Sequence, residues 1–309
     1  MADQDENLRI WTIEEGQAYV DDLIRLLRNP NVSVYETVDT GHINETANHI
    51  PFHFQKGAPV TKAMACCNNL VKKEQPGSLF IYDNSLCLQA PRESQNSDDT
   101  HRIWTLYKGL RVTPVSVACS TLVEELRCGQ GIQHSEYRNI ISLVFYCGRE
   151  PHQRGVSTGL LMIRSLLAQI FEYIRVFIIE YKDVISFGHE FREEVETDDL
   201  GQLCGMLDTV IRTLPPVKDH EQPERRIVCF IDGVGSRSDV EDSSGVAKVI
   251  QTLLKMVRLS HTGNDYVPTF QLICTSPRLG DWDDALFPSG DTCQIVDLAL
   301  PLLASAPST

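Results

Sequence analysis

Four stretches of this chain are apolar at nearly every position rather than at every second one: NIISLVFYCG (139–148), RIVCFIDG (226–233), TFQLICTSP (269–277) and CQIVDLAL (293–300). A strand with one wet face alternates apolar and polar residues. A strand that is apolar throughout must be covered on both faces, which is the pattern of a parallel sheet between layers of helix. A shorter apolar run, SLCLQA (85–90), precedes them and brings the expected strands to five.

The segments between these runs read as helices. PVSVACSTLVEELRCG has Pro114 well placed for a helix start. GLLMIRSLLAQIFEYI (159–174) puts Leu160, Ile163, Leu167, Ile170 and Ile174 on one face. DLGQLCGMLDTVIRTLPP does the same with Leu200, Leu203, Leu207, Val210 and Leu214 before two prolines stop it, and GVAKVIQTLLKMVRLSHTG is helical as well. Near the amino terminus Thr12 stands three residues before Glu15, a capping-box spacing. Tyr19, Val20, Leu23, Ile24 and Leu27 follow at helical intervals up to Asn29-Pro30. Residues 41–78 mix Gly, Pro, His and Asn with a modest helical stretch and read as a connector. The expected organisation is a helical segment and connector over 1–78, an α/β domain over 79–300 and a frayed tail over 301–309.

Charge narrows the partners. Forty-two acidic against 28 basic residues give a net charge of −14, and such a field repels the phosphate backbone of nucleic acids unless a basic patch is set apart. Lys72-Lys73 and Arg225-Arg226 are too short to be one. No apolar run reaches the roughly 18 residues that span a bilayer, and MADQDENLRI lacks the basic start and apolar core of a signal peptide. A cytoplasmic protein that binds neither nucleic acid nor membrane is expected. The ten cysteines are irregularly spaced, with Cys87, Cys147, Cys229 and Cys274 inside strand-like runs, and read as reduced core thiols.

Chemistry concentrates at two strand ends. Asp232 closes RIVCFID, and an Asp at the carboxyl end of a buried parallel strand lies where open α/β sheets bind ligands; its carboxylate there suits a magnesium ion. Asp232-Gly233 is also a common turn. Thr275 and Ser276 end FQLICTS, where a hydroxyl can sense a terminal phosphate or an attacking water; Ser-Pro also starts turns.

Taken in order, IVCFIDGVG, FQLICTSPR, LVFYCGRE and the leucine-rich helices between them resemble the NACHT-like branch of the STAND class of P-loop NTPases, in particular the divergent forms of fungi. The resemblance implies a three-layer P-loop NTPase-like fold with a mainly parallel five-stranded sheet, ordered 5-1-4-3-2 and centred on the strand at 85–90. It implies that IVCFIDGVG is the Walker B strand and FQLICTSPR the sensor strand. The helix over 8–29 looks like the leader of such domains.

The phosphate loop itself is missing. Gly-x-x-x-x-Gly-Lys-[Ser/Thr] is needed because glycines let successive amides turn onto the phosphates while the lysine neutralises them. After Ala90 the chain gives PRESQNSDDTHRIW, which has no glycine, opens on a proline without an amide donor, and carries Glu93, Asp98 and Asp99. Ser120-Thr121 read as helix positions rather than magnesium ligands. Asp239, Glu241 and Asp242 are the acids nearest after Asp232.

The expected function is a non-hydrolysing scaffold or interaction module of STAND type with a protein partner. The alternative is a regulatory switch holding Mg-ATP or Mg-GTP at a rebuilt site, with Arg92 and Lys108 as phosphate contacts and Arg102 and Arg111 as further cations. Trp11, Tyr19 and Leu23 on the first helix read either as a partner surface or as packing onto the domain. No Gly-x-Ser-x-Gly elbow or Cys-x-x-Cys pair occurs, and GHEFREE lacks a second histidine one turn on, so hydrolase and zinc-site readings have no support.

Overall fold

The structure, a computed structural model, describes residues 12–28, 58–82, 113–131, 139–147, 157–176, 188–214, 225–234, 240–262, 268–276 and 293–298. Five parallel strands form one sheet: β1 (Gly77–Tyr82), β2 (Ile140–Tyr146), β3 (Arg226–Asp232), β4 (Thr269–Ser276) and β5 (Cys293–Asp297), in the order β2-β3-β4-β1-β5. Among the described residues, seven helices accompany them: α1 (Ile13–Leu27), α2 (Ala58–Lys72), α3 (Pro114–Gly131), α4 (Thr158–Val176), α5 (Gly188–Thr197), α6 (Leu200–Thr213) and α7 (Val240–His261). The chain is an α/β protein with the strand order expected from its sequence.

The first strand requires a correction. The place beside β4 is held by Gly77–Tyr82, earlier in the chain than the run at 85–90, which lies outside the described residues. The reason is local: Phe80-Ile81-Tyr82 is aromatic and β-branched, whereas SLCLQA offers leucine and alanine, which favour strands less.

Every residue of β2, β3 and β4 is buried, as the unbroken apolar runs require. Side chains alternate between two clusters. Ile227, Cys229 and Ile231 of β3 join the cluster built with α1 and α4 to α7, while Val228 and Phe230 join the one built with α2 and α3. The helix in the 41–78 stretch, α2, therefore belongs to the covering of the sheet and packs along α3. On the other side α1 lies on α4 with Val20, Leu23 and Leu27 buried, so Leu23 is core; Tyr19 packs against the same cluster, and Trp11 is outside the described residues. The Thr12–Glu15 capping box forms in both directions, at 3.1 and 3.0 Å. Helix α5 had no counterpart in the sequence reading; Phe191 fixes it, packing edge-on against Phe171 with ring centroids 6.3 Å apart.

Buried polar side chains tie the layers. Gln169 of α4 turns its amide onto the outer edge of β2, accepting from Val144 N at 2.9 Å and donating to Val144 O at 2.8 Å. The amide thus takes the place of a neighbouring strand. Arg127 of α3 reaches Gln169 Oε1 at 3.3 Å. Arg164, buried on α4, donates to Leu26 O and to Leu27 O at the end of α1 and pairs with Asp198 after α5. Arg226 donates to Val71 O at 2.7 Å and Gln271 to Leu70 O at 2.8 Å, closing the carboxyl end of α2.

Two measurements follow from this packing. Helices α4 and α7 meet at Gly159, where an added Cβ would lie 2.3 Å from the carbonyl carbon of Gly245; Gly205, exposed on α6, has nothing within 4 Å. Gly159→Ala should lose about 1–3 kcal/mol to overpacking, whereas Gly205→Ala should gain up to about 1 kcal/mol from helix propensity, both read from urea midpoints. Gln169→Leu should cost about 1–3 kcal/mol by stranding the Val144 amide and carbonyl. It should also raise the multimer fraction in size-exclusion chromatography, because the β2 edge is opened.

Candidate functional site

Asp232, Thr275 and Ser276 lie at the carboxyl ends of the adjacent strands β3 and β4, as the apolar runs place them. Ile231 pairs with Cys274, so Asp232 stands next to Thr275 on the face covered by α2 and α3. Ser276, one residue on, points to the opposite face. All three are buried, Asp232 at 5% and Thr275 at 2% exposure.

The Thr275 hydroxyl joins two groups. It donates to Asp232 Oδ1, and it accepts from the Gly233 amide at 3.0 Å. Gly233 has φ 76°, a left-handed conformation that suits glycine, and the chain turns there; Val234 N then donates to Thr275 O at 2.8 Å. On the other side Cys147 N donates to the Asp232 carbonyl at 2.7 Å. The Asp-Gly turn is therefore real, and it is also what brings the carboxylate and the hydroxyl together. Sequence reasoning placed both residues at the sheet's carboxyl edge but gave no sign that they bond to each other. The β3–β4 register is the missing signal.

Cys119 of α3 is a neighbour the sequence reading missed. Its thiol is pushed well up by a hydrogen bond with Cys67, by burial, and by the charges of Cys67 and Asp232. Helix α3 begins with its own closure: Thr113 Oγ1 accepts from Ser116 N at 3.0 Å and Ser116 Oγ from Thr113 N at 3.2 Å. Pro114 contributes no amide. The amino-terminal groups that a phosphate would use are in part already satisfied from within. Ser120 and Thr121 are helical, with Thr121 Oγ1 donating to Val117 O.

A magnesium ion takes about six oxygens in near-octahedral array at about 2.0–2.1 Å. The described residues supply one carboxylate, whose Oδ1 already accepts a hydroxyl, and no group of three or more His, Cys, Asp and Glu among them is placed to hold a metal. They do not make a magnesium site by themselves. Glu241 and Asp242 fall in the first turn of α7, and Asp239, Arg92, Arg102, Lys108 and Arg111 lie outside the described residues. The sequence from 83 to 108, which follows β1, contains no glycine.

No family model, curated protein or solved structure matches the chain. Among the described residues no helix is long and apolar enough to cross a membrane.

The bond between Asp232 and Thr275 can be tested directly. Thr275→Val keeps the shape but removes the hydroxyl donor from the buried carboxylate, and should cost about 1–3 kcal/mol in urea denaturation. Thr275→Ser should recover most of that loss.

Proposed function

We propose that this chain is a non-hydrolysing, NTPase-like scaffold or protein-interaction module of the STAND/NACHT type. The observation that carries the reading is the closure of the Asp232 carboxylate by the Thr275 hydroxyl, itself held by the Gly233 amide. In a working nucleotide triphosphatase that carboxylate faces a magnesium ion and the sensor hydroxyl faces phosphate. Here each is the other's partner. The Thr113–Ser116 closure of α3 and the absence of glycine from 83 to 108 support the same reading at the position of the phosphate loop. The parallel sheet in the order β2-β3-β4-β1-β5 supports a P-loop NTPase-like ancestry. A net charge of −14 favours a protein partner over a nucleic acid.

The competing reading, an ATP- or GTP-holding switch, needs Arg92 or Lys108 to supply what the loop lacks. Melting temperatures with millimolar Mg-ATP or Mg-GTP separate the two. No shift is expected for the wild type or for Asp232→Ala, each against its own ligand-free baseline. A ligand at 100 times its dissociation constant stabilises by about 2.7 kcal/mol, so a shift of that order, lost in Asp232→Ala, would replace the scaffold reading by the switch.

A further inference from the structure

Helix α4 is held from two sides. Gln169 bonds it to β2, while Arg164, Phe171 and Arg175, at helical intervals on another side, meet α1 and α5. Among the described residues α1 packs on α4 and α5, and α5 on α1 and α6; neither has more than a slight approach to a strand. The two helices are therefore an outer layer laid over α4.

One guanidinium joins this layer to what lies beneath it. Arg164, only 4% exposed, donates to Leu26 O and Leu27 O at the end of α1 and to Val195 O of α5 at 3.5 Å. It also pairs with Asp198, which carries the chain from α5 towards α6 in a left-handed conformation, φ 55°. Were α1 to leave alone, Arg164 would lose two carbonyls while α5 still covered it. Were α5 to leave alone, it would lose Val195 and Asp198 beneath α1. A buried cation left short of acceptors costs more than its bonds contribute when made. Joint departure avoids that cost, because it returns the guanidinium to water.

We propose that α1 and α5 form a strap that opens reversibly from α4 as one cooperative unit while the sheet stays folded, with Arg164 as its latch. The two helices are also bound to each other, Arg192 to Asp22 at 3.2 Å. The layer's other polar ties to α4 are the part-exposed ion pairs Arg28–Glu172 and Arg175–Asp21, which contribute little each. On α5 the buried apolar side chains are Phe191 and Val195, so less apolar surface holds it than holds the strands, which are buried at every residue of β2, β3 and β4. Opening uncovers Phe171 between Arg164 and Arg175, a surface closed in the packed form, and leaves α4, α6 and α7 over the sheet. The strap does not depend on whether nucleotide binds.

The test is native-state hydrogen exchange of the full chain, read by mass spectrometry in urea below the unfolding transition. Peptides from α1 and α5 should share one opening equilibrium, more populated than the opening that exposes β3 and β4. Phe191→Ala, a change on α5, should speed exchange in α1 by the same factor as in α5. Arg164→Met should speed both by about tenfold or more. The proposal is overturned if α1 and α5 open at different urea-dependent rates, if Phe191→Ala speeds α5 alone, or if both helices exchange only with the strands. The wild-type profile decides even where a variant fails to fold.

Discussion

Three adjacent strands of this sheet have no wet face. With β2, β3 and β4 buried at every residue, the chain must cover both sides of the sheet and also close the ends of the helices that do the covering. Burial supplies the driving force, but it does not discriminate between one helix placement and another. Discrimination comes from the few polar side chains that the core contains, because a buried donor or acceptor left without a partner costs more than a misplaced methyl group.

Those side chains share one geometry. Arg164, Arg226 and Gln271 each present nitrogen to carbonyls at the carboxyl end of a helix, where the last turn has no donors of its own and the macrodipole is negative. Gln169 does the equivalent for an edge strand. Burial lowers the Arg164 guanidinium from its usual range, because a cation placed there has left water. Its carbonyl acceptors and Asp198 offset that cost. The result is a core whose apolar surface is generic and whose polar contacts are specific.

The sequence made β2, β3 and β4 legible because burial on both faces leaves an unbroken apolar signal; β5 was found to within three residues at its carboxyl end, although Gln294 and Ile295 are exposed. The first was misplaced because two short runs, SLFIY and SLCLQA, lie close together, and the strand beside β4 is the better β-former of the two. The capping box at Thr12 and the start at Pro114 were legible because each is a fixed local spacing. Helix α5 was not, since its burial rests on Phe191 and Val195 meeting α4 and α1, a tertiary fact. Asp232 and Thr275 were located by sequence, but their bond depends on the register of two strands separated by a whole helix.

On the proposed reading, that bond bears on how a nucleotide site could be lost without losing its fold. In a ligand-dependent domain, phosphate satisfies the first amides of the helix beyond the loop, and the metal balances the carboxylate at the strand end. Removing the ligand leaves both demands open. Here Thr113 and Ser116 meet part of the first and Thr275 meets the second, using side chains that the backbone already brings within reach. A chain with these replacements is held folded by its own groups at all times. On the proposed scaffold reading, it would present a constant surface to a partner, instead of one whose shape reports on bound nucleotide.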